Sequence, residues 1–174
     1  MELLNVKPFQ ETLHSGMCGP ASMKMVLEYW GLSKTEKELA ELTKVSHTIG
    51  TNDIAIKKAT EFLGFQVEIK NNSSFKDIQY WLDTKVPVIV DWFTKGRSDY
   101  SDSEVADGHY SVVVGLDAEC IYLQDPEIGG LRKIERDDFM KVWFDFTGKQ
   151  INSWEEMVIR QIIAIYPARD ASVG

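Results

Sequence analysis

Apolar residues change their spacing half-way along the chain, and that change predicts the architecture. From Cys18 to about Asp83 they recur at helical intervals: Met25, Leu27 and Trp30 in a first segment, Leu39 and Leu42 in a second, and Ile54, Ile56, Ala59, Phe62 and Leu63 in a third. Gly31 and Gly64 fall where the first and third helices should end. Ser33 or Thr35, and Thr51 or Asn52, stand where the second and third should begin. A fourth helix is predicted from Ser74 to Leu82, with Phe75, Ile78 and Leu82 on one face. From Pro87 onward the stretches VPVIVDWF, HYSVVVGL, CIYLQD and RQIIAIYP are rich in β-branched and aromatic residues, bounded by Gly, Asp or Pro, and read as strands. A short strand, LRKI, follows the turn at Gly129-Gly130, and a last helix is predicted from Arg136 to Phe144. Helices first and strands second, without regular alternation, imply an α+β domain. An N-terminal helical half packs against a mostly antiparallel sheet, and a cleft between the two is the natural place for a site.

Composition narrows the function more than the fold. The 174 residues contain no internal repeat, charge block or Pro-rich linker, so residues 1–174 are expected to form one domain. Nineteen Lys and Arg against 27 Asp and Glu leave a formal charge of -8, which offers no basic footprint to a phosphate backbone; no nucleic-acid partner is expected. No basic start followed by an apolar run opens the chain, and no apolar stretch approaches a membrane span, so a cytoplasmic protein without a membrane span is the default expectation. Two cysteines, Cys18 and Cys120, and three histidines, His14, His47 and His109, are too few for a disulfide framework or a paired-cysteine zinc site. The expected chemistry therefore uses no metal and no cofactor.

Cys18 opens the first helical run, with Gly19 and Pro20 in its first turn. A thiol there feels unpaired N–H groups and the positive end of the helix dipole, which predicts a lowered pKa. The competing reading is a small cysteine packed beneath a helix. A nucleophilic cysteine needs a base, and His109 heads the strand HYSVVVGL behind a polar, acidic loop. Asp125 ends the next strand. If the two strands form a hairpin through Leu116 to Glu119, His109 and Asp125 meet at its open end, where a carboxylate can orient an imidazole. His14 and His47 read as solvated loop histidines, and Cys120 as a sheet-face residue. The acidic loop carrying Asp99, Asp102, Glu104 and Asp107 suits a cationic peptide, or simply a solvated surface; its spacing lacks an ordered calcium-ligand loop.

The segments CGPASMKMVLEYWG, GHYSVVVGLD, IYLQDPEIGG and LRKIERDDFMKVW together resemble the papain-like cysteine peptidases of the bacteriocin-leader-processing group, family thirty-nine of the cysteine peptidases, from about Gln10 to Trp143. The resemblance implies a papain-like fold with Cys18 as nucleophile, His109 as general base and later acid, and Asp125 as the orienting residue. It also implies Gln10 as a side-chain donor to the oxyanion hole beside the Cys18 N–H. One spacing departs from the family: Gln10 stands eight residues before Cys18, two more than is common. Family members are often the front domain of an exporter that cuts leaders after a double glycine; Gly129-Gly130 in this chain reads as turn chemistry instead. The implied partner is a peptide or small amide substrate. Two alternatives stay open: acyl transfer to an amine in place of water, as in the related phytochelatin synthases, and a catalytically silent peptide-binding module.

Overall fold

The computed structural model describes residues 2–46, 50–94, 108–146 and 151–168. His47 and the acidic loop with Asp99, Asp102, Glu104 and Asp107 lie outside these residues. The first three helices are α1 (Cys18–Tyr29), α2 (Glu36–Thr43) and α3 (Asp53–Phe62). Of the alternative caps, Thr35 starts α2 in a reciprocal capping box with Glu38, and the Asn52 side chain accepts from the Ala55 N–H to start α3. A strand, β1 (Phe65–Lys70), precedes α4 (Phe75–Asp83), and the strands β2 (Val88–Phe93), β3 (Gly108–Leu116), β4 (Cys120–Asp125) and β5 (Gly130–Glu135) follow. Helix α5 (Arg136–Val142), two three-residue strands β6 (Phe144–Phe146) and β7 (Met157–Ile159), and β8 (Ile162–Pro167) complete the described elements; a short 3-10 turn, Trp154–Glu156, leads into β7.

Six strands form one antiparallel sheet in the order β1-β8-β2-β3-β4-β5, and β6 and β7 pair separately. Alternation along the strands sends side chains to two cores. Tyr110, Val112, Val114, Ile89 and Ile163 face Met23, Val26 and Leu27 of α1, Leu39 of α2 and Ile56 of α3. Val88, Val90, Trp92, Val113 and Leu123 face Ile78 and Leu82 of α4 and Phe139 of α5. The central strands are thus buried on both faces, which is why they read as continuous apolar runs. Helix α4 belongs to the far face of the sheet, opposite α1.

Several elements differ from the sequence expectation: β1, β6, β7 and the Trp154–Glu156 turn have no counterpart in it, and the last helix is shorter. Strand β1 was not anticipated, although FQVEIK alternates apolar and polar residues; its pairing with β8 at the sheet edge is what makes it a strand. The last helix stops at Val142 instead of Phe144. There the Trp143 indole donates to the Gln161 carbonyl at 3.0 Å, and Phe144 stacks on Phe93 with ring centroids 5.0 Å apart, so tertiary contacts pull both residues out of the helix.

Fully buried Phe139 of α5 packs on Trp92, whose ring in turn stands edge-on to His109 at 5.9 Å. Phe139→Ala is expected to lower stability by about 3–5 kcal/mol, the range for an emptied aromatic site, measured as a lower urea midpoint at unchanged slope.

Candidate active site

Three elements deliver the side chains. Helix α1 starts at Cys18 with no side chain capping it and no acidic residue in its first turn, so its first N–H groups remain as donors at the thiol end. Pro20 sits where a missing N–H costs no helical hydrogen bond. A side chain at Gly19 would put its Cβ 2.9 Å from the Thr51 Cβ; glycine is what lets this turn press against the start of α3. Ser22, one turn on, donates from Oγ to the Tyr110 carbonyl at 3.2 Å and ties α1 to β3 next to His109.

Strands β3 and β4 form the expected hairpin. Val112 opposes Gln124, and a bulge lies between Val113 and Gly115. His109 and Asp125 meet at its open end, Nε2 to Oδ1 at 2.7 Å. A carboxylate only accepts, so Nε2 carries the hydrogen, and Nδ1 is left for the Cys18 thiol with which the imidazole also hydrogen-bonds. Asp125 is completely buried and fully partnered: Oδ1 also accepts from the Glu127 N–H at 2.9 Å, and Oδ2 accepts from Arg132 Nε at 2.6 Å. Arg132 reaches Glu127 as well, Nη2 to Oε2 at 2.8 Å.

Charge is distributed along this chain of contacts in a definite order. Burial opposes a charged imidazole at His109, but the Asp125 charge and hydrogen bond, joined by Cys18, raise its pKa well above the ordinary 6.5. Burial likewise opposes a charged Asp125, yet His109 and Arg132 hold its carboxyl below the ordinary range. Cys18 differs from the sequence expectation. Burial pushes its thiol above the ordinary 9.0, and nearby Glu11 adds to that, against the downward pull of the His109 hydrogen bond and charge. Helix position alone does not yield a thiolate where the sulfur is 8% exposed. The imidazole is the group that draws the thiol toward ionisation.

Gln10 does not join the three through a hydrogen bond; its Nε2 donates to the Glu127 carbonyl at 3.1 Å. The backbone around it is nonetheless anchored at the site. The Glu11 N–H donates to the Pro126 carbonyl at 2.9 Å, and Gly129, at φ +60°, lies so close that a Cβ there would come 2.6 Å from the Gln10 Cβ. The longer spacing from Gln10 to Cys18 is taken up by a turn through Leu13 to Gly16, with His14 and Gly16 in the left-handed region. His14 is exposed, and Cys120 lies buried in β4 at the end away from Asp125. Arg132, Glu127, Glu11 and Trp92 also surround the site, and no motif in the sequence marks them. Only Arg132 left a trace there, as a cation on the strand hairpinned to CIYLQD.

The chain matches the Peptidase_C39 like family over residues 3–151. It belongs to that family, which is one of cysteine peptidases. It is 30% identical over 132 residues to the transport/processing ATP-binding protein ComA of Streptococcus pneumoniae, and 30% identical over 129 residues to the lactococcin transport/processing protein LcnC-like of Lactococcus lactis. These matches cover 75% and 72% of the chain but only 17% and 16% of the relatives, so the chain spans a small fraction of their length. Among solved structures the fold matches the peptidase domain of Streptococcus ComA with TM-score 0.70 at 22% identity, over 94% of this chain and 100% of that one. It also matches a double glycine motif protease solved with a leader peptide, with TM-score 0.67 at 20% identity over 95% and 94% of the two chains. The papain-like α+β fold of the family is therefore the fold of this member. Among its described residues no helix is long and apolar enough to cross a membrane.

Arg132→Leu would strand two buried carboxylates, Asp125 and Glu127, and is expected to cost about 3–5 kcal/mol in denaturant unfolding. Because the folded carboxyl of Asp125 is held below its ordinary 3.8, the stability it contributes is present above that value and is lost as pH falls through the lower folded value. Asp125→Asn should accordingly flatten the acid limb of a stability–pH profile.

Proposed function

We propose that residues 1–174 act as one peptidase domain that hydrolyses a peptide or related amide bond through Cys18, His109 and Asp125. The observation that carries this reading is the continuous hydrogen-bonded line from the Cys18 thiol through His109 to the buried Asp125. In the attack, Cys18 Sγ bonds to the carbonyl carbon while its proton passes to His109, whose imidazolium Asp125 stabilises. The carbonyl oxygen gains the negative charge and takes hydrogen bonds from the uncapped N–H groups at the start of α1. Gln10 is the proposed second donor. Its Nε2 has two hydrogens, one engaged by Glu127 and the other without an acceptor among the described residues.

Collapse of this intermediate breaks the C–N bond, and His109 returns its proton to the departing amine. Water then attacks the thioester, giving its proton to His109; the acyl group leaves as a carboxylic acid and the thiol is restored. The relatives are transport/processing proteins, one of them for lactococcin, and one similar structure is a double glycine motif protease in complex with a leader peptide. A peptide with small residues before the cleaved bond is the substrate class these relatives favour for this chain.

Cys18→Ala should abolish hydrolysis of any cleaved peptide and leave the thermal unfolding curve in place. Iodoacetamide should modify Cys18 much faster than Cys120, read by peptide mass mapping; equal, slow modification of both sinks the reading. In His109→Ala the pull that lowers the thiol pKa is gone, so less Cys18 is ionised at neutral pH and its alkylation should slow. An unchanged rate removes His109 from the site.

A further inference from the structure

Gln10 is the one proposed catalytic group that stands outside any helix or strand. Cys18 opens α1, His109 lies in β3 and Asp125 ends β4, whereas residues 2–12 have no regular structure of their own. What this segment rests on therefore sets its course. Upstream of Gln10, the Leu4 N–H donates to the Val114 carbonyl at 2.8 Å and Gln124 Nε2 donates to the Val6 carbonyl at 3.1 Å, which lays the segment along β3 and β4. Downstream, Thr12 gives its N–H and its hydroxyl to the Glu36 carboxylate at 2.9 and 2.7 Å, at the start of α2. These anchors hold the ends and leave Gln10 on exposed chain between them. The turn through Leu13 to Gly16 separates it from α1, so the helix that carries the thiol does not place it.

Between the anchors, the turn after β4 supports Gln10 from three positions. The Glu127 carbonyl accepts from Gln10 Nε2 at 3.1 Å, and the Pro126 carbonyl accepts from the N–H of the next residue, Glu11, at 2.9 Å. Gly129 is the third: a Cβ there would come 2.6 Å from the Gln10 Cβ, 3.1 Å from its Cα and 3.2 Å from its N, so the two backbones lie directly against each other. The same turn is fastened to the buried side of the site. Glu127 is 5% exposed; its N–H donates to Asp125 Oδ1, and its carboxylate accepts from Arg132 Nη2 at 2.8 Å while Arg132 Nε holds Asp125 Oδ2. One short turn thus carries the carboxylate that orients His109 on its inner side and the amide of Gln10 on its outer side. A donor to a developing oxyanion has to be held to within about 0.5 Å, which a long side chain on irregular backbone does not achieve unaided.

We propose that Glu127 and Gly129 are positioning residues for the reaction: they seat Gln10 at the oxyanion and tie its placement to the carboxylate that orients His109. The inference rests on the peptidase reading above, with Gln10 as second donor, and adds the device that places that donor. Both residues act through Gln10. Removing the Glu127 side chain releases the turn from Arg132, and a methyl group at Gly129 drives Gln10 off its seat.

Two reagents that meet the same sulfur separate this role from a merely structural one. With p-nitrophenyl acetate, Cys18 Sγ bonds to the acetyl carbon, negative charge gathers on the carbonyl oxygen, and p-nitrophenolate leaves as the C–O bond breaks; the thiol proton passes to His109. With iodoacetamide, Sγ bonds to the methylene carbon and iodide leaves, with no oxyanion formed. The first rate is read as p-nitrophenolate release after subtraction of the Cys18→Ala rate, the second by peptide mass mapping. Their ratio within one variant at one pH cancels changes in the ionisation of the thiol and reports the oxyanion donors. Gln10→Ala should lower the ratio about 100-fold, the scale of one lost donor. Glu127→Ala and Gly129→Ala should each lower it about tenfold or more, and neither should lower it further once Gln10 is Ala. Gly129→Ala leaves the buried ion pairs intact and serves if Glu127→Ala fails to fold. An unchanged ratio in folded Glu127→Ala or Gly129→Ala, or an equal fall in the Gln10→Ala background, overturns the positioning role alone. An unchanged ratio in Gln10→Ala removes the donor and this inference with it, and leaves Cys18 and His109 in place. Failure of iodoacetamide to prefer Cys18 over Cys120 overturns the peptidase reading itself.

Discussion

A completely buried carboxylate sets the terms for everything around it. Asp125 is tolerable in the interior because His109, Arg132 and the Glu127 N–H surround it with hydrogen bonds and positive charge. Each partner is constrained in return. His109 has its Nε2 committed and its Nδ1 aimed at Cys18; Arg132 is held between two carboxylates; and the turn after β4 folds back so that Glu127 contributes both its backbone and its side chain. Gln10 and Glu11 then dock on that turn through Glu127 and Pro126. The open end of one hairpin thereby organises groups from four separate parts of the chain.

Burial has a cost at the sulfur. Withdrawing Cys18 from water favours the thiol, and the His109 imidazole, with a backbone hydrogen bond from Tyr110, works against that preference. The proposed nucleophile is thus dependent on His109 for its ionisation, and His109 is dependent on Asp125 for its charge. Such serial dependence explains why Arg132, through its bond to Asp125, bears on the imidazole and the thiol beyond it: it keeps the carboxylate ionised.

Much of this was legible in residue order. Thr35 with Glu38, and Asn52, are cap signals that act within a few residues, and the β3–β4 hairpin follows from two apolar runs joined by a short turn. Cys18, His109 and Asp125 were legible because each sits at the end of an element whose type the local pattern declares. Arg132 and Glu127 were not. Their chemistry depends on strand register, on Gln124 standing opposite Leu131 and Asp125 opposite Gly130, and register follows from the packing of whole strands.

The sequence by itself determined the types of the four main helices and the central strands, the order of the proposed catalytic groups and the family, because these rest on short-range periodicity, caps and motifs. Tertiary structure decided which face of the sheet each helix covers, that β1 joins the edge, that the Cys18 thiol is raised instead of lowered, and that Arg132 and Glu127 close around Asp125. These depend on distances between residues far apart in the chain and on the exclusion of water, neither of which local pattern encodes.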